Sequence, residues 1–340
     1  MLKLKNKRGS ILIFVLWTVA LISVLVATLA ANIRLSAQTA IHQSDGIQHR
    51  ANVVSVLEMA KMELLFSRFS GQMVASNDIE GRLKKYRFHG KQEKLFYSIP
   101  ETTQVYIYDH SGKINLTRLV PSLMTELLTK QLTLDDQDLD PERLTALLSA
   151  WQDWVDLDDL IKVKGAEAEY YQTLEPPYSP RNGFMQTVEE LLQIRGYREL
   201  FGHLNMHSIF TVYGFNPKVN FNLANRDVLK LIPGLTPQEV EAIIQRRKEV
   251  EMTGAELAFI VDADHIEKVR LWMDTNNQVS NYYTIAVQKK KDQSDDEDEY
   301  AYMEDVFIEK LNEVPRTLRV NPYGKLPIKP VDIEKEESEE

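Results

Sequence analysis

The chain has 340 residues, a net charge of −10 and no cysteine. The acidity argues against a surface built for nucleic acid, since phosphate binding needs clustered lysine and arginine. The missing thiols exclude disulfide support in an oxidising compartment, so an exported part would rely on its core or on metals.

The chain opens on Lys3, Lys5, Lys7 and Arg8, then Gly9, then an uncharged apolar run from Ile11 to Ala31. At about 1.5 Å of rise per residue, that run is long enough to cross a hydrocarbon core of roughly 30 Å. The basic leader predicts a single pass with the N-terminus cytoplasmic and the bulk on the far side. In a secretory signal the apolar run is shorter and precedes a cleavage site. Here the obvious glycine for processing precedes the run, and a cut there would leave the hydrophobic helix on the mature protein. Beyond the run, Val53, Val54, Leu57, Ala60, Met62, Leu64 and Leu65 keep roughly helical spacing to about Ser70. One long helix is expected, with a break near Ser44-Asp45-Gly46 as the open alternative.

Residues 86–117 turn strand-like, in YRFHG, LFYSI and VYIYDHSGKINL, with Ser111-Gly112 read as the positive-φ pair of a tight hairpin. Helical spacing then holds from Val120 to near Asn277, through TELLTKQL, PERLTALLSAWQDWV, VEELLQIRGY, NRDVLKLI and PQEVEAIIQRRKEV. Strands return in NYYTIAVQKK, YMEDVFIEKL and RTLRVNPYG. The layout is α+β, with a helical domain inserted into a small sheet domain. DQSDDEDE (292–299) and the EKEESEE tail read as solvated segments.

Within the block, Val228–Arg247 carries a helix-hairpin-helix signature. Pro233-Gly234 make the turn, Gly234 at positive φ, and Thr236-Pro237 with Glu239 give N-cap, N1 and a capping-box acid. Val188–Leu204 repeats the scheme around Arg195-Gly196, and Gly254–Trp272 is a fainter echo. Such hairpins can grip phosphate, with Arg246, Arg247 and Lys248 in support, but the acidity and the location favour a packing or contact module. Catalysis finds little support. The histidines are scattered, His203 and His207 form the one helix-spaced pair, and no Ser-His-Asp or HExxH arrangement is present. Trp151 and Trp154 read as core anchors.

The order of basic leader, Gly9 and hydrophobic helix resembles the signal of type IV pilins and type II secretion pseudopilins. DHSGKINLTRL (109–119), DWVDLDD (153–159), GAEAEYYQTLEPPYSPRNGFMQTVEELLQIRGY (165–197) and VNFNLANRDVLKLIPGL (219–235) together resemble the K-type minor pseudopilin of that system. The resemblance runs from Lys7 to about Thr284. It implies cleavage by prepilin peptidase between Gly9 and Ser10, and methylation. Phe14 stands where most pilins carry a glutamate; a carboxylate in hydrocarbon is costly without a partner charge, so its absence suits the subunit at a filament tip. The implied fold is a pilin-like stem helix and small antiparallel sheet with a large inserted all-α domain containing helix-hairpin-helix (SAM-like) units. The implied segments are a leader (1–9), a membrane helix (10–32), the rest of the stem (33–70), two sheet parts (71–119 and 278–322), the insert (120–277) and an acidic tail (323–340).

The implied role is a non-enzymatic subunit that initiates or caps the pseudopilus at the bacterial inner membrane, with its bulk periplasmic. The implied partners are the I-type and J-type minor pseudopilins, the major pseudopilin, prepilin peptidase, the inner-membrane assembly platform and secreted substrates, with no nucleic acid. The family is associated with calcium and with no organic cofactor. The densest oxygen donors for Ca2+ are Asp153, Asp156, Asp158, Asp159, Glu167 and Glu169, flanking Gly165. Their spacing does not match an EF-hand loop, and a solvated acidic helix end remains the competing reading. Two other functions stay open: a tip pilin of a type IV pilus or DNA-uptake filament, and a membrane-anchored DNA-binding protein.

Overall fold

The computed structural model describes residues 8–73, 86–133, 139–290, 300–309 and 313–325. The expected leader before Arg8, the acidic run 292–299 and the end of the tail lie outside them. The described chain divides into two compact units, Met1–Ser55 and Val56–Glu340.

The first element is an uninterrupted helix, Arg8–Met73, of 66 residues. It runs straight through Gly46, where an added Cβ would meet nothing within 4 Å. A single exposed glycine weakens a helix by only about 1 kcal/mol, so the alternative break does not form. Thr18, Ser23, Thr28 and Thr39 each turn their hydroxyl back onto a carbonyl three or four residues earlier, at 2.8–2.9 Å. Within the apolar run this leaves those hydroxyls satisfied by the helix itself.

In the second unit, Val56, Leu57, Ala60 and Leu64 form a buried helical stripe. The sheet has strands β1 (His89–Gln92) and β2 (Thr103–Asp109) from before the helical block. Two two-residue strands, β3 (Ile114–Asn115) and β4 (Phe210–Thr211), pair in parallel elsewhere. After the block come β5 (Tyr282–Lys289), β6 (Tyr300–Phe307) and β7 (Arg316–Lys325). The five-stranded order is β1-β2-β5-β6-β7, every pair antiparallel. Strands β2 and β5 are therefore neighbours in space although the whole helical block separates them in sequence.

Because side chains alternate along a strand, the register assigns the faces. Ile107, Ile285 and Glu304 lie opposite one another on one face. Glu304 pairs with Lys61 of the long helix at 2.8 Å, which fixes the helix against that face. Burial lowers the Lys61 ammonium's proton affinity, but Glu304 and Glu58 outweigh it and the net shift is upward. The opposite face presents Ala286 and Met303, with Thr284 and Asp305 one step along.

Three local expectations are corrected. LFYSI is not a strand: Phe96 and Tyr97 are exposed, and the backbone N–H of Phe96 is held by Glu63 at 2.8 Å, outside the ladder. Ser111-Gly112 is not a positive-φ hairpin. His110–Gly112 is a 3-10 turn whose N-cap Asp109 accepts from the Ser111 N–H, and a Cβ on Gly112 would run into the Leu223 carbonyl. Glycine is needed there for close approach. The insert is also not purely helical, since β4 lies within it.

The block surrounds one large core that includes Met124, Leu127, Trp151, Trp154, Tyr197, Phe201, Phe221, Leu229, Ile243 and Trp272. The helix Pro141–Val155 forms where PERLTALLSAWQDWV placed it, with Asp140 as N-cap and proline in its first turn.

Candidate functional site

Gly9 and Ser10 fall in the first turn of the N-terminal helix. Phe14 is 70 % exposed, as are the large apolar side chains around it from Leu12 to Leu35 to similar degree. One helix, Leu12–Ser67, is long and apolar enough among the described residues to cross a membrane. From Leu12 to Ile33 the helix therefore offers an apolar surface without charged side chains, in which Phe14 is indistinguishable from its neighbours.

The acidic residues converge at the end of the helix Pro141–Val155. Asp153 is fully buried and accepts from the Ala166 N–H (2.8 Å) and the Lys162 N–H (3.2 Å). A Cβ on Gly165 would collide with the Asp153 carboxylate, so glycine is what lets the loop close over it. The Lys162 ammonium pairs with Asp156 and lies 3.5 Å from Asp153. Glu167 is buried, and neither of its carboxylate oxygens has a hydrogen-bond partner. Burial, then the negative charges of Asp153, Asp156 and Asp159, push its carboxyl up to about 7. Asp156 Oδ1 and Asn182 Oδ1 are likewise buried and unpartnered.

Of the expected ligands, Asp153, Asp156, Asp159 and Glu167 are thus brought together. Asp158 instead caps the Leu160 N–H at 2.9 Å, and Glu169 is exposed. Sequence reasoning missed Lys162 and Asn182, the latter bonded to Asp159 at 2.8 Å. The only signal for Asn182 was the turn-forming Asn-Gly pair. Among the described residues no three acidic or histidine side chains already stand in metal-holding geometry. The orphaned oxygens of Glu167, Asp156 and Asn182 nevertheless fit a hard cation, which takes such oxygen ligands.

At Pro233-Gly234 and Arg195-Gly196 both glycines take the left-handed backbone. Gly234 has φ +89° and Gly196 φ +81°. Thr236 and Glu239 form a reciprocal capping box at the start of the helix Pro237–Arg246. The hairpin is not open to phosphate, however. A Cβ on Gly234 would sit 3.1 Å from Val269 and 3.3 Å from the His265 carbonyl, and Lys130 caps the Ile232 and Leu235 carbonyls at 2.7 and 3.0 Å. Arg246 is paired with Glu249 and Glu256, and Arg247 is turned onto the Phe221 and Ala224 carbonyls. Both lie at the far end of the helix from the hairpin.

A buried polar junction, which the sequence did not signal, joins the block to the sheet. Thr284 donates to Asp305 at 2.7 Å and accepts from Lys113 at 2.9 Å. Its one proton being spent, the 2.8 Å contact to His110 Nε2 requires the imidazole to donate there. His110 Nδ1 lies 2.8 Å from the Thr211 hydroxyl, which donates to it when the ring is neutral. Burial and the Lys113 charge hold His110 well below the ordinary imidazole range, and burial brings Lys113 down to about 8. Beside it Tyr213 stacks on Tyr282 at 5.6 Å and 7°. His207 pairs with Glu189 at 2.8 Å and contacts Arg319, while His203 is exposed. Burial raises Glu189, but His207 and Arg319 outweigh it and bring the carboxyl down to about 2. The spaced histidines thus form no metal site.

In the second unit the end of the Arg8–Met73 helix packs on a small antiparallel sheet, and a helical block is inserted between the neighbouring strands β2 and β5. Residues 112–202 match the family described as type II secretion system (T2SS), protein K. A putative type II secretion system protein K of Escherichia coli (strain K12) is 22 % identical over 254 residues, covering 71 % of this chain and 75 % of the relative. The type II secretion system protein K of Aeromonas hydrophila is 39 % identical over 70 residues, 20 % of each chain. The fold is similar to a chain in the GspK-GspI-GspJ complex from the enterotoxigenic Escherichia coli type 2 secretion system, with TM-score 0.54 and 13 % identity over 85 % of this chain and 98 % of that one. The chain is thus similar to protein K of type II secretion systems, with the family match itself confined to residues 112–202.

Proposed function

We propose that this minor pseudopilin sits at the tip of the secretion pseudopilus, initiating or capping it, with I-type and J-type minor pseudopilins as its neighbours. The observation that carries the reading is the insertion of the helical block between β2 and β5. A block of that size attached to the sheet would obstruct stacking of further subunits, whereas a terminal position leaves it free. The stem contributes a surface without charges from Gly9 to Ile33, suited to packing against partner stems. The structurally similar chain comes from a complex of K with I and J subunits, which supports the choice of partners.

In this reading the chain is a single-pass inner-membrane protein with a cytoplasmic N-terminus, processed between Gly9 and Ser10. Its work is assembly and not catalysis, and its helix-hairpin-helix units serve packing. We further propose that Glu167, Asp156, Asp153 and Asn182 hold Ca2+, with Lys162 yielding its position to the cation. Calcium there supplies charge neutralisation at a loop that no disulfide supports. A gold-labelled antibody against the helical block, applied to pseudopili sheared from cells, tests the placement: labels confined to filament ends are expected, and labels along the shafts would contradict it.

A further inference from the structure

Arg118 ends the 3-10 turn Leu116–Arg118 and lies between two phenylalanine rings, 5.9 Å from the centroid of Phe184 and 5.2 Å from that of Phe215. Both rings face outward, Phe184 at 72 % and Phe215 at 81 % exposure. The guanidinium has no carboxylate partner among the described residues, and its Nε–H is buried without an acceptor. Other arginines of the helical block do pair with carboxylates, as Arg181 does with Glu190 and Arg226 with Glu241. Asn182, two residues before Phe184, is bonded to Asp159 and to the Asp158 carbonyl. That ties the phenylalanine segment to the loop carrying Leu157, Leu160, Ile161 and Val163, which are 64–86 % exposed.

We propose that the Phe184–Arg118–Phe215 clip and this apolar loop are a docking surface for an extended segment of another protein that carries a carboxylate beside apolar side chains. With no carboxylate partner among the described residues, the cation against two aromatic faces favours a charge-assisted pair with an incoming carboxylate. The rings and the loop provide the apolar contact.

The test uses the full chain in phosphatidylcholine nanodiscs and fluorescein-labelled, acetylated hexapeptides alternating valine with aspartate, or valine with asparagine as the neutral control. The acidic peptide is expected to bind at least tenfold more tightly than the neutral one. Arg118→Met is expected to remove that preference, and the Phe184→Ala/Phe215→Ala pair to weaken the acidic peptide at least fivefold, with melting temperatures unchanged. Equal binding of both peptides by the wild-type chain overturns the proposal without reference to any variant. Full retention of the preference in a folded Arg118→Met chain, or displacement of the peptide by phosphatidylglycerol vesicles but not by excess unlabelled acidic peptide, overturns it as well.

Discussion

At the residue scale the chemistry concentrates in two buried clusters, and each makes a prediction. In the junction, Thr284 is the hub that satisfies Lys113, His110 and Asp305 together. Thr284→Val keeps the shape and removes the hydroxyl, leaving buried donors unmet, so a loss of about 2 kcal/mol is expected in urea unfolding. His110 is neutral in the fold and regains an ordinary value near 6.5 on unfolding, so the unfolded chain binds more protons as the pH falls. Its contribution to stability is therefore present above about pH 6.5 and lost below it. Glu167 acts in the opposite sense. With its carboxyl raised to about 7, it favours the fold when protonated, and that contribution fades as pH rises through 7. A bound cation replaces the proton, so the melting shift caused by millimolar Ca2+ is expected to grow between pH 5 and pH 7.5 and to vanish in Glu167→Gln. A calcium shift that ignores both pH and that substitution would reject the proposed site. Neither cluster was fully legible in the sequence. A carboxylate run shows its density, but Lys162 and Asn182 join it only through loop closure, and His110 and Lys113 meet Thr284 only because distant strands pair.

At the element scale, local signals were read well wherever the backbone itself decides. The cap at Thr236, the proline after it and the positive-φ glycine at 234 all act within a few residues, and each is found in place. Gly234→Ala sets an L side chain at φ +89° and presses a Cβ toward Val269. The left-handed penalty alone is roughly 1–2 kcal/mol, and Thr236→Ala should cost ~1 kcal/mol through the lost N-cap. The two sites are adjacent, so the double variant is expected to depart from additivity in a chemical-unfolding cycle. Elements decided by tertiary contact were less legible. LFYSI has strand-like composition, but the Phe96 N–H is taken by the Glu63 carboxylate, and the Arg8–Met73 helix crosses Gly46 because the penalty is small beside its length. The parallel contact of β3 with β4 joins a strand before the block to one within it and carries no local signature.

At the scale of the whole molecule, the chain combines a long helix, free of charged side chains from Gly9 to Ile33, with a sheet interrupted by a helical domain. The first was legible because membrane crossing demands length and apolarity together. The second was legible as strands returning after a long helical stretch, though which strands become neighbours required the register of β2 with β5. Phe14 links these scales: one side chain without charge, in a stem of like side chains, fits a subunit with no need to neutralise a neighbour's amino terminus. Phe14→Glu would place a carboxylate in hydrocarbon without a partner and is expected to lower incorporation of the subunit into pseudopili severalfold, read by quantitative blotting of sheared filaments. The most direct measurement is N-terminal sequencing of the membrane-extracted chain from cells with and without prepilin peptidase. A mature chain beginning at Ser10 is expected when the peptidase is present, and one beginning at Met1 when it is absent; a chain beginning at Met1 in both would contradict the assignment as a processed pseudopilin.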